Sequence, residues 1–139
     1  VSQLVEALYP LPDMRRTPLS QLRWWESRRL FYNKVVGAAG LVTLAGVSIV
    51  SLLPPHPLPV ELPAMMVGAA VYGVLANGCY SLGWLLEMLA CRVWGRKAPD
   101  LGPLLFRQGL IFSVGLTLFP LLLATLFWVL RVVVTIAGG

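Results

Sequence analysis

Charge is what this chain has least of. Only 12% of its 139 residues are Asp, Glu, Lys or Arg, where a soluble domain carries about 25%. With 58% hydrophobic residues and a mean hydropathy of +0.78, too few polar groups remain to cover a surface facing water. That excludes an ordinary soluble fold and predicts an all-α integral membrane protein. Cysteine is limited to Cys79 and Cys91, too few for a disulfide scaffold. On one helix these two lie about 18 Å apart, beyond bridging distance. Histidine occurs once, as His56 in a proline-rich stretch with no second His, Cys or acid cluster beside it, so neither a metal set nor a haem ligand is expected. No Walker A or G-x-G-x-x-G loop, H-E-x-x-H helix, Ser–His–Asp arrangement or pair of nearby carboxylates occurs. The expectation is a protein that is not an enzyme and has no cofactor.

What is present is three long apolar runs between two basic blocks. Six of the eleven basic residues precede the first run, four lie in 92–107, and one, Arg131, follows the third run. Basic blocks arranged this way point to membrane topology, with no nucleic-acid partner. Residues 1–34 read as a cytoplasmic leader, broken at Pro10 and Pro12 and closed by Arg15 and Arg16. Thr17 before Pro18 predicts a helix start, because proline in the first turn loses no intrahelical bond. The helix that follows is basic and aromatic, and it is expected to lie amphipathically in the interface. Arg23, Trp24, Trp25, Arg28 and Arg29 would sit among anionic lipid headgroups, joined there by Arg96 and Lys97 from the second block. The leader is too long for a secretory n-region and no A-x-A site closes the first run, so that run reads as a retained anchor.

The expected spans are 35–53, 64–91 and 108–130, each of about the length that crosses hydrocarbon. An external proline-rich loop occupies 54–63, a cytoplasmic basic loop 92–107 and an external tail 131–139. Splitting 104–137 at Pro120 would leave halves of about 16 residues, too short to cross. Pro120 is expected to kink one helix instead, with Thr117 helping to satisfy the freed backbone groups. The positive-inside rule then puts the N-terminus inside and the C-terminus outside. Val1 fits a literally translated GTG start or a processed end, and the expected location is a bacterial inner membrane.

Each span carries a stripe of small or polar residues. At about 100° per residue, Ala69, Gly73, Asn77, Tyr80, Trp84 and Glu87 fall within roughly an 80° arc, with Val71, Leu75, Leu82 and Leu86 opposite. Asn33, Gly37, Gly40, Leu44, Ser48 and Ser51 share a face of the first span; Gly109, Ser113, Thr117, Pro120 and Ala124 share one of the third. Small residues let helix backbones approach, so Gly73 and Ser113 are expected at interfaces, and the Asn77 amide is expected to bond across helices. Glu87 is the one acid embedded in a span. Arg29, Asn33, Lys34 and Gln108 are its candidate partners at the same depth.

Two functions follow. The first is assembly, as a homo-oligomer or as an accessory subunit of a larger membrane complex. The alternative is a homo-oligomeric pore or small ion-coupled transporter that uses the Asn77–Glu87 stripe.

Overall fold

Prolines and one glycine set the element boundaries. Thr17 starts the first helix with its side chain accepting from the Ser20 amide, while the Ser20 hydroxyl accepts from the Thr17 amide. From Pro18 no further proline occurs until Pro54, and helix α1 (Pro18–Leu52) runs unbroken between them. Helix α2 (Leu62–Trp94) opens with Pro63 in its first turn and stops at Gly95, whose φ of 57° lies in the left-handed region that favours glycine. Helix α3 (Leu101–Ala137) continues through Pro120. The computed structural model describes residues 17–95 and 101–138. Among these no strand occurs, and all three helices are long and apolar enough to cross a membrane.

The helices outrun the apolar runs that announced them. At 35, 33 and 37 residues, each measures about 50 Å against a hydrocarbon core of about 30 Å. No break separates an interfacial helix from the first span; the basic and aromatic segment is the first half of α1. Helix takes over both ends of the expected 92–107 loop, since α2 reaches Trp94 and α3 starts at Leu101, and the tail to residue 137 is a helical extension of α3. The physical reason is that hydropathy marks where a helix is apolar, whereas caps and prolines mark where it ends. Residues 1–16 of the leader, and Arg96 and Lys97, lie outside the described residues.

Cross-helix contacts define the arrangement. Trp24 meets Phe106, Tyr32 meets Ser113 and Thr43 meets Thr117, so α1 and α3 run parallel and pack along much of their length. At Gly46 a Cβ would stand 2.6 Å from Leu121 Cδ1, so the missing side chain is what lets α3 close on α1 there. The α1–α2 loop is tied to the far end of α3: Trp128 Nε1 donates to the Pro54 carbonyl at 2.9 Å, and the Arg131 guanidinium donates to the His56 carbonyl. Helix α2 runs antiparallel, with Gln21 against Cys91, Trp25 against Glu87 and Arg29 against Ser81. Its side-chain bonds to the pair run from Tyr72 to Cys91. Between Leu62 and Val71 every residue but Met65 is exposed.

The buried faces are not all the predicted stripes. On α1 the buried residues are Gln21, Trp25, Arg28, Tyr32, Val36 and Thr43, a face rotated away from the Asn33–Gly37–Gly40 stripe. On α3, Ser113 and Thr117 are buried as the stripe predicts, whereas Gly109 is exposed and a Cβ there would meet nothing within 4 Å. Gly73 is likewise open, so it brings no helix of this chain close.

Candidate functional site

The chemistry-bearing side chains gather at the end of the bundle that carries the α2–α3 turn. Trp25 of α1 is 2% exposed and lies edge-on to Tyr80 of α2, with ring centroids 5.2 Å apart and planes at 80°. Phe106 of α3 completes the group at 6.2 Å from each. Tyr32 stacks at a tilt on Tyr80 at 4.7 Å. Edge-to-face geometry is what aromatic quadrupoles favour, and each such pair adds about 0.5–1.5 kcal/mol. Trp24, also half-buried, reaches Phe106 from the other side, and the buried Arg28 guanidinium lies over its ring at 4.0 Å.

Glu87 is seated within this group. Trp25 Nε1 donates to its Oε2 at 2.6 Å, a short bond of the kind an acid forms with a strong donor. Two glycines make the room. A Cβ at Gly102 would stand 2.8 and 2.9 Å from the two carboxylate oxygens, and one at Gly83 would stand 2.8 Å from Trp25 Cη2. Glycine at 83 and 102 therefore lets the acid and the indole share one space between three backbones.

A column of hydroxyls climbs from there. Tyr80 donates to the Trp25 carbonyl at 2.5 Å. Tyr32 donates to the Ala76 carbonyl at 3.2 Å and shares a 2.8 Å bond with the Ser113 hydroxyl. Tyr72 Oη lies 3.0 Å from the Ser113 carbonyl and 2.8 Å from the Thr117 hydroxyl, and Thr117 Oγ1 lies 2.6 Å from the same carbonyl, so two hydroxyl protons are divided among three contacts. Thr43 donates to the Thr117 carbonyl at 2.8 Å. Every pair of helices is thus stitched by a side-chain hydroxyl on a foreign carbonyl. In a membrane interior such bonds average about 0.6 kcal/mol each.

The predicted site residues divide accordingly. Tyr80, Glu87, Ser113 and Thr117 come together in the buried interior. Trp84 is half-buried against the aromatic group, with its Nε1 unbonded among the described residues. Asn77 does not bridge helices; its Nδ2 donates to the Gly73 carbonyl of its own helix at 3.0 Å. Of the candidate partners of Glu87, Asn33, Lys34 and Gln108 are exposed, Gln108 on the rim of a 220 Å³ apolar cleft between α2 and α3. Arg29 is engaged with Glu26 at 2.7 Å, with the Ser81 hydroxyl at 3.3 Å and with the Tyr80 ring. None of these is the donor seen on Glu87: Trp25 donates to it, although the sequence assigns Trp25 and Arg28 to headgroups, and both are buried. Trp25, Arg28, Tyr32 and Val36 recur at helical spacing and form a face, a signal hidden by reading the segment as an interfacial belt. Arg23 is exposed. Cys79 and Cys91 are free thiols; Cys79 is exposed, and Cys91 accepts from Gln21 Nε2 at 3.0 Å. Among the described residues, no group of three or more His, Cys, Asp or Glu is placed to hold a metal ion.

Comparison with protein-family models, with curated proteins and with solved structures finds no match for this chain.

Proposed function

We propose that this chain is a non-enzymatic, multi-pass membrane protein of a bacterial inner membrane that works by assembly, with copies of itself or with a larger complex. One observation carries the reading: over its first ten residues α2 is exposed at every position but Met65. Residues 62–71 extend about 15 Å, half a hydrocarbon thickness, with Gly68, Ala69 and Ala70 all exposed. The small residues among them let another helix approach closely. The pore reading has less behind it, because Asn77 is bonded into its own helix and Glu87 is enclosed by Trp25 and Gly102. The native mass of the full chain in mild detergent and in lipid nanodiscs tests the assembly reading. Two or more copies, or one copy with a different protein, is the expected result. A single chain under every lipid condition would overturn it.

The orientation we propose is N-terminus inside and C-terminus outside, on the basis of the ten basic residues placed before the first span or in 92–107. Reporters fused after residue 139 are expected to read external. A cytoplasmic reading there would reverse the orientation or change the number of crossings.

A further inference from the structure

We propose that the face of α1 and α2 turned away from α3 is where two copies of this chain pair. The inference rests on the assembly reading above and gives it a partner and a set of residues. Register comes from the Arg29–Ser81 bond. One turn along α1 and one turn back along α2 bring Asn33 level with Asn77; a second turn brings Gly37 level with Gly73. Asn33 is exposed, and Asn77 is half-buried with its one bond inside α2. At Gly37 and at Gly73 a Cβ would meet nothing within 4 Å. The fold of one chain therefore makes no use of either glycine, and it leaves two amides facing outward beside them. At membrane depth an exposed amide facing lipid is costly, and that cost falls on Asn33, since Asn77 already donates within its own helix. Glycines with nothing over them form a shallow trough into which another helix fits closely.

The face is self-complementary, and that selects a second copy as the occupant. Each amide carries both donor and acceptor, so an amide can pair with its own equivalent. Glu26 and Arg29, with side chains 48% and 34% exposed, put opposite charges three residues apart at one end of the same face. A two-fold axis running along the bundle keeps equivalent residues at one height. It brings Glu26 of each copy within reach of Arg29 of the other, and it lays Gly37 and Gly73 under a facing backbone. Lipid methylenes would cover the trough but offer the exposed Asn33 amide no partner.

Substitution at the two glycines separates the outcomes, because a larger side chain at either has free space in the single chain. In the full-length protein in nanodiscs, Gly37→Leu and Gly73→Leu are each expected to weaken self-association at least tenfold, with helical circular dichroism unchanged. Asn33→Leu, at an exposed position where folding is not at stake, is expected to weaken it severalfold. Gly109→Leu on α3, also open to 4 Å, is expected to leave it unaltered. A homo-oligomer indifferent to Gly37, Gly73 and Asn33 would overturn this face and leave the assembly reading standing. A wild-type chain that binds only a different protein would overturn the pairing of copies. A chain that stays single would overturn both.

Discussion

Trp25→Ala is expected to destabilise the bundle by about 3–5 kcal/mol, the range for truncating a fully buried large aromatic. The indole touches Tyr80 and Phe106 edge-on, fills the space beside Gly83 and donates to Glu87. Removing it opens a cavity between all three helices and withdraws a donor from a buried acid. Trp25→Phe separates the two contributions. It keeps most of the ring contact and loses the N–H, and it is expected to cost about 1.5–3 kcal/mol, the range for a hydrogen bond to a charged group. Phe112→Ala is the control, since Phe112 is 69% exposed on α3; the change there is expected to stay within about 0.5 kcal/mol. Reversible unfolding in mixed micelles, followed by circular dichroism, measures all three. Equal losses for Trp25→Ala and Phe112→Ala would mean that the aromatic group is not the centre of the fold.

The position of Trp25 also marks where the sequence is legible and where it is not. Three apolar runs announce three helices, and Thr17–Pro18 announces the start of the first. Ser113 and Thr117 announce the buried side of α3, because small hydroxyl residues in a span suit a helix contact. Beyond that, composition misleads in a consistent way. A segment with Arg23, Trp24, Trp25, Arg28 and Arg29 has the composition of a headgroup belt, so its periodicity is easily overlooked. Yet Trp25, Arg28, Tyr32 and Val36 recur on one face and form the buried seam of α1. Rotation is the quantity that composition does not carry. The same holds for glycine. Gly37, Gly40 and Gly73 resemble packing positions as strongly as Gly46, Gly83 and Gly102 do. Only the last three meet a large side chain from another helix, Leu121, Trp25 and Glu87 respectively. A glycine becomes an interface glycine through what faces it, and that belongs to the partner helix.

Glu87 yields the second large effect and divides structure from transport. Glu87→Leu is expected to cost about 1–3 kcal/mol, because it leaves the Trp25 N–H buried without an acceptor. Glu87→Gln is expected to fold and assemble close to wild type, since its amide oxygen can still accept from the indole. Transport would make the opposite demand on that conservative change: the amide cannot carry a proton, so flux would vanish while the assembly stayed whole. The hydroxyl column argues against such flux. A conducting chain needs each group to accept a proton on one side and release one on the other. Among the described residues two hydroxyl pairs are linked, Tyr32 with Ser113 and Tyr72 with Thr117, while Tyr80 ends on the Trp25 carbonyl and Thr43 on that of Thr117, so the links do not join into one chain. A carbonyl accepts a hydrogen bond but does not pass a proton on. Reconstituted vesicles carrying a pH-sensitive dye inside are therefore expected to show the same slow leak for wild type and Glu87→Gln. A wild-type proton flux well above that of empty vesicles, lost in Glu87→Gln at equal protein content, would overturn the structural role and promote the ion-coupled reading in its place.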